Sequence, residues 1–201
     1  LRPDPREIGK EVAAKFPETA AGSGEVRSVL EILRQPAARV AVISMVLGQM
    51  VMVLVMVITS LHMRDHNHML GDISIVISAH TVGMYAFSIL SGRLADRWGR
   101  GPVIMVGAAT LVLACIAATI SPDVLPLGLA LFLLGLGWNF CFVGGSTLLA
   151  DQLSPAERAR TQGFNDLLVG LASATGSLGS GFIFAALGYN IMALISAVFA
   201  F

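Results

Sequence analysis

The chain has 201 residues, of which 55% are hydrophobic and only 13% charged, too apolar a balance for an ordinary soluble domain. Its 13 basic and 13 acidic side chains cancel, which removes the positive field that nucleic-acid binding needs. Cys115 and Cys141 both sit inside apolar runs, which argues against a disulfide framework.

Residues 1–38 differ in kind from the rest. Pro3, Pro5, Pro17, Gly22 and Gly24 interrupt a charged stretch that cannot bury a core, and it reads as a cytoplasmic interdomain linker. A start at Leu1 and an end at Phe201 inside an apolar run read as a fragment of a longer chain. Residues 25–34 place Val26, Val29, Leu30 and Leu33 at helical spacing, with Arg27 and Arg34 available to headgroups. That pattern predicts either a short helix lying on the membrane surface or the first turns of a longer helix broken at Pro36.

A bilayer core about 30 Å thick needs about 20 apolar residues per helix. Six such stretches follow, at residues 40–61, 73–92, 102–120, 124–150, 163–187 and 190–201, the last cut short. The predicted fold is therefore an all-α membrane protein, with residues 39–201 forming a six-helix transmembrane bundle in contact with the lipid bilayer. Orientation follows from the short loops, because basic residues stay on the cytoplasmic side. Arg27, Arg34 and Arg39 precede the first span, Arg93, Arg97 and Arg100 lie between the second and third, and Arg158 and Arg160 lie between the fourth and fifth. The opposite loops hold Arg64 and no other basic residue besides histidines. Both ends of this six-helix segment are thus expected in the cytoplasm.

Within the first span Met45, Met50, Met52 and Met56 crowd together, and His80 and Met84 lie inside the second. Residues four apart share a helix face, so Met52 with Met56, and His80 with Met84, each form a vertical pair. Counted from the predicted outer ends, Met56 and Met52 lie about 8 and 13 Å deep, and His80 and Met84 about 10 and 16 Å deep, so the pairs overlap in height. Thioether and imidazole together suit Cu(I). Methionine is also ordinary filler in apolar helices, whereas an ionisable group in mid-span is by default functional. The outer loop adds His62, Met63, His66, His68 and Met69, which read either as a metal-collecting mouth or as a polar loop rich in histidine. Gln49, Tyr85 and Asn139 are further polar positions able to line a cavity or to satisfy themselves against a neighbouring helix. Asn165 and Asp166 fall in the first turns of the fifth span, where an acidic side chain favours the helix dipole. Ser173, Gly176, Ser177, Gly179, Ser180 and Gly181 give that helix a small-residue face for close packing.

The stretch between spans two and three reads Gly92-Arg93-Leu94-Ala95-Asp96-Arg97-Trp98-Gly99-Arg100, a tight reversal with an acid among arginines. It resembles the G-x-L-x-D-R-x-G-R signature of the major facilitator superfamily of secondary transporters, except that Gly101 stands where a further basic residue is common. The resemblance implies one half of a twelve-helix fold, in which two six-helix halves rock about a central site. It also implies a gating loop made by Gly92, Asp96, Arg97, Gly99 and Arg100, with Asp96 facing a helix of the other half and Arg97 and Arg100 holding a charge network. The linker, together with Gly135-Leu136-Gly137-Trp138-Asn139 and the run from Glu157 through Gln162 and Gly163 to Asp166, is similar to the carboxy-terminal half of bacterial members. That places the chain in the cell (inner) membrane, with the missing amino-terminal half as its partner. Met52-x-x-x-Met56 followed by His80-x-x-x-Met84 resembles the paired motifs of the CcoA-like copper importers within this superfamily. The implied function is copper import through Met52, Met56, His80 and Met84, with copper as the transported substrate and no cofactor.

Three rival functions remain at this point, one of them a membrane metal sensor without transport. An organic solute or drug exchanged for protons would use His80 as its protonatable group. A six-span serine protease would need a histidine beside Ser146, and the later spans contain none, so an enzyme is not expected. The absence of a Gly-x-x-x-x-Gly-Lys-Ser/Thr loop leaves no site for direct ATP coupling in this sequence.

Overall fold

The computed structural model describes residue 11 and residues 26–200. The expected linker therefore falls, up to residue 25, almost wholly outside the described residues, as does Phe201.

The first described helix is a single turn, Val29–Ile32 (α1). Ser28 Oγ accepts from the Glu31 amide at 3.2 Å, and the Glu31 carboxylate accepts from the Ser28 amide at 2.6 Å, a reciprocal cap. The turn is shorter than the surface helix expected over residues 25–34. Gln35 precedes Pro36 and takes an extended conformation (φ −71, ψ 130), which stops the helix. Ile32 then folds into a buried cluster with Ala38, Leu149 and Leu153.

Pro36 opens α2 (Pro36–Asp65) at a position where its missing N–H is not needed. Asn67, at φ 63, reverses the chain into α3 (Leu70–Tyr85). After a break at Ala86 and Phe87 the same crossing continues as α4 (Ser88–Trp98). Next come α5 (Arg100–Ala117), α6 (Val124–Asp151) and α7 (Pro155–Ala200). Gly188, at φ 77 and ψ 175, interrupts α7, so that this 46-residue element contains both the fifth and the sixth expected spans. Each of the six expected spans is helical over most of its described length, and the chain is a multi-pass membrane protein.

The signature from Gly92 to Arg100 is not a loop, contrary to its sequence pattern: Gly92, Asp96 and Arg97 lie within α4, and the reversal is confined to Gly99 (φ 95). A glycine can take that left-handed backbone without Cβ strain, so one residue suffices to turn the chain.

The bundle is organised about α6, which packs against α2, α3, α4 and α5, while α7 lies along α2 and also touches α5. In lipid, helices associate by close packing rather than by hydrophobic burial, and small residues permit the approach. Gly83 and Gly135 show this most clearly. A Cβ on Gly83 would collide with the Phe132 carbonyl of α6, and one on Gly135 would collide with the His80 carbonyl of α3. Apolar side chains such as Ile75, Ile89, Met105, Leu113, Phe182 and Val198 remain exposed on the outside of the bundle, as a lipid-facing surface requires.

Candidate functional site: the shared face of α2, α6 and α7

Polar residues are costly inside an apolar bundle, so their partners reveal which helix faces are specialised. On α2, Met45, Gln49, Met52 and Met56 follow one another at spacings of four, three and four and therefore occupy one stripe. On α6, Trp138, Phe142 and Ser146 do the same. The two stripes meet at a hydrogen bond of 2.7 Å from Trp138 Nε1 to Gln49 Oε1. Gln49 Nε2 in turn donates to Ser173 Oγ of α7 at 2.8 Å. Three helices are thus joined through one amide whose donor and acceptor ends are both used.

Aromatic rings surround this junction. Trp138 and Phe142 are stacked with centroids 4.9 Å apart, and Tyr85, at the end of α3, meets Trp138 edge-on at 6.2 Å. Tyr85 itself is 61% exposed. Sequence reasoning had singled out Gln49 and Tyr85 but not Trp138, Phe142 or Ser173 as their partners. The available signal was an indole in mid-span, whose N–H must find an acceptor when buried.

His80 is buried between α3 and α6, with Nδ1 3.0 Å from the Leu131 carbonyl oxygen. A carbonyl only accepts, so Nδ1 carries a hydrogen, and Nε2 has no hydrogen-bond partner among the described residues. Met84, one turn further on, is half-buried against the main core cluster, which also contains Met52 and contacts Met56. Although all three thioethers border one core, α3 lies along α6 rather than along α2. Met52, Met56 and Met84 thus border the same core cluster, while the His80 ring is held against α6. Of the residues expected in the loop after the first span, His62 and Met63 instead belong to the end of α2; Met63 is fully buried and His62 stacks on Tyr189 at 4.0 Å, while Met69 is exposed.

Asn139 has a structural task. Its Nδ2 donates to the Met84 carbonyl at 2.6 Å and to Ser88 Oγ at 2.9 Å, and its Oδ1 accepts from Ser91 Oγ. These groups flank the break between α3 and α4, so Asn139 occupies the backbone and hydroxyl groups that the interruption frees.

At the arginine-rich end, Arg100 joins three elements. Its Nη1 lies 3.0 Å from Asp96 Oδ1 and donates to the Ala95 carbonyl at 2.8 Å, while its Nε lies 3.0 Å from Asp151 Oδ2 at the end of α6. Asp151 is a partner of Arg100 that the sequence did not reveal. Arg97 is exposed, and Asp96, with its side chain 73% exposed, keeps a free oxygen. A second ion pair clasps the segment before α1 to the α6–α7 turn. Arg27 Nε and Nη2 each lie 2.8 Å from the Glu157 carboxylate, which also accepts from the Ser154 amide at 2.9 Å. The Arg27 guanidinium and these amides hold the Glu157 carboxyl well below the usual carboxylate range.

Residues 40–201 match the family profile described as Major Facilitator Superfamily. The chain belongs to the major facilitator superfamily. Its six helices have the architecture of one half of that fold. It is 38% identical over 200 residues to the MFS-type transporter YdeG of Bacillus subtilis (strain 168), covering 98% of this chain and 46% of the relative. It is 36% identical over 202 residues to the MFS-type transporter YddS of the same organism, again covering 98% and 46%. With the riboflavin transporter RfnT of Brucella anthropi it shares 33% identity over 143 residues, 71% of this chain and 36% of that one. The chain thus spans about half the length of the first two relatives. These relatives support a transporter of this superfamily and give no support to the finer resemblance to copper importers.

Proposed function

We propose that the chain is the carboxy-terminal half of a secondary transporter whose cargo is a small organic solute with a flat aromatic part. In this reading the arginine-rich end faces the cytoplasm of the cell, and an amino-terminal half completes the path by rocking against the α2–α6–α7 face. The observation that carries the proposal is the junction at Gln49. There an indole, a stacked phenyl ring and a nearby exposed phenol surround an amide on the same face. Aromatic walls with few, fixed polar groups are the usual composition of sites for small organic molecules. Riboflavin, the cargo in the name of the Brucella anthropi relative, has such a ring system and is the first compound to test.

The experiment is uptake of radiolabelled riboflavin into proteoliposomes holding the full-length carrier, with other planar heterocycles as competitors. Uptake should fall about tenfold in Trp138→Ala and Gln49→Ala at equal protein content, a loss of about 1.4 kcal/mol of transition-state binding. Equal uptake by carrier-free vesicles, together with no competition by any planar compound, would overturn the reading.

A second reading, copper import with Met52, Met56, His80 and Met84 as successive ligands, is favoured by one specific observation. His80 donates its Nδ1 hydrogen to a backbone carbonyl and leaves Nε2 free, the tautomer that a metal-binding imidazole requires. Copper accumulation in copper-limited bacteria would be raised by the full-length carrier and abolished by His80→Ala and Met56→Ala. No rise over empty vector removes this reading.

A further inference from the structure

The end of α2 farthest from the arginine-rich turns carries a histidine pair that neither cargo reading uses. His62 lies on the last turn of the helix and His66 caps it, four residues on, so both rings leave from one face. Their centroids are 4.5 Å apart and their planes 64° apart, an edge-to-face pair. His62 is half-buried and His66 exposed, so the pair is open to water.

Each ring is held in place without spending the nitrogen that a metal would use. His66 Nδ1 lies 2.9 Å from the His62 carbonyl oxygen. A carbonyl only accepts, so Nδ1 carries a hydrogen, and in the neutral ring the lone pair then stands on Nε2. A backbone carbonyl on the second nitrogen is the way metal-ligating imidazoles are commonly oriented. His62 lies flat on Tyr189 of α7, with centroids 4.0 Å apart and planes 5° apart. Stacking uses the face of a ring, whereas the nitrogen lone pair lies in its plane, so the contact fixes His62 and leaves its edge open. Tyr189 is itself buried, and its hydroxyl is 3.0 Å from Thr59 Oγ1.

Two histidines four apart on a helix face are a recurrent way to hold zinc. With tetrahedral bonds of about 2.1 Å, two ligating nitrogens stand about 3.4 Å apart. Rings with centroids 4.5 Å apart come to that separation by rotation of the exposed His66 alone. His68 is engaged elsewhere, with Nδ1 3.8 Å from Asp72 Oδ2. Among the described residues no three histidine, cysteine or acidic side chains gather for a metal, so water fills the remaining positions.

We propose that His62 and His66 bind a divalent transition-metal ion of the class that imidazole prefers, Zn2+, Ni2+ or Cu2+. Hard ions such as Mg2+ prefer oxygen ligands and are not held there. A bound ion ties the cap of α2 to its last turn and, through the His62 stack, to Tyr189, the residue after the interruption of α7 at Gly188. In the orientation proposed above, the site faces the outside of the cell. It shares no residue with the Met52, Met56, His80 and Met84 set and stands whichever solute the carrier moves.

The test is isothermal titration of the full-length carrier in detergent, purified without a histidine tag, with zinc chloride, nickel chloride and, as the hard-ion control, magnesium chloride. A saturable site for zinc or nickel that magnesium does not fill is expected. His66→Ala should weaken binding at that site more than about tenfold, and so should His62→Phe, which keeps a ring to stack on Tyr189. His68→Ala should bind as the wild type does. Binding should fade as pH falls through about 6.5, because a protonated imidazole has no lone pair to offer. The proposal is overturned if neither zinc nor nickel binds saturably, if His62→Phe and His66→Ala bind like the wild type, or if only His68→Ala loses the site. Because binding rather than transport is read, failure of the riboflavin or copper assay leaves this outcome separate.

Discussion

Trp138 and Gln49 are joined across α6 and α2 by a 2.7 Å hydrogen bond, and the remaining end of the same amide reaches Ser173 on α7. The junction sits on the face that the transport reading assigns to the cargo.

Replacing Gln49 by Leu keeps its bulk but leaves the Trp138 N–H without its acceptor. The expected cost is about 1–3 kcal/mol, the penalty for an unsatisfied buried polar group. Measured by thermal unfolding of the purified protein, Gln49→Leu should lower Tm, and Gln49→Glu should lower it less, because a carboxylate oxygen still accepts from the indole.

Gly135 faces the His80 carbonyl with no room for a side chain. Gly135→Ala should push α3 off α6, costing about 1–3 kcal/mol by overpacking. In contrast, Gly163→Ala, where nothing lies within 4 Å of the added carbon, should leave stability unchanged or slightly raised. Unfolding curves of the two variants, run side by side, check the contrast.

The Arg27–Glu157 clasp is pH-dependent with a definite sign. Glu157 has its carboxyl lowered from the ordinary value of 4.5 in the folded state, chiefly by the Arg27 hydrogen bonds. Its stabilising contribution is therefore fully present above that ordinary value and is lost as pH falls below it towards the lowered folded value. Tm measured between pH 7 and pH 3 should fall less steeply for Glu157→Gln than for the wild type, so that the gap between the two curves narrows towards pH 3 without closing.

Arg100 holds Asp96 and Asp151 at once, and both acids are substantially exposed. Exposed pairs contribute about 0–1 kcal/mol each, so Arg100→Ala should change Tm little. Its effect belongs on the transport rate, because the pairs join the α4–α5 reversal to the end of α6. Arg100→Lys should not rescue the rate, since an ammonium cannot present the planar fork that spans both carboxylates and the Ala95 carbonyl. Rates in proteoliposomes at matched protein content decide this.

Much of the architecture was legible in the linear chain. Long uncharged runs, arginines at alternate ends and the signature from Gly92 to Arg100 sufficed for six spans and the superfamily. These signals are one-dimensional: hydropathy sets what lies in lipid, and a helix face repeats at a regular interval. Met45, Gln49, Met52 and Met56 could be placed on one stripe for the same reason. Local backbone detail was less legible. The signature's helical continuation to Trp98 and the confinement of the reversal to Gly99 are not marked in composition, although glycine is the residue that permits such a turn.

Only the tertiary structure decided which stripes meet. Gly83 and Gly135 let α3 and α6 approach backbone to backbone, and the spacing within either helix does not reveal that they pair. The depth of Asn139 suits a cavity wall, but its amide bridges the break after Met84 instead. Trp138 and Ser173, 35 residues apart with Gln49 a further 89 before Trp138, carry no mark in the sequence that they share one amide. Hydrogen-bond partners across helices are set by rotation and depth, and neither is encoded in the period of a single helix.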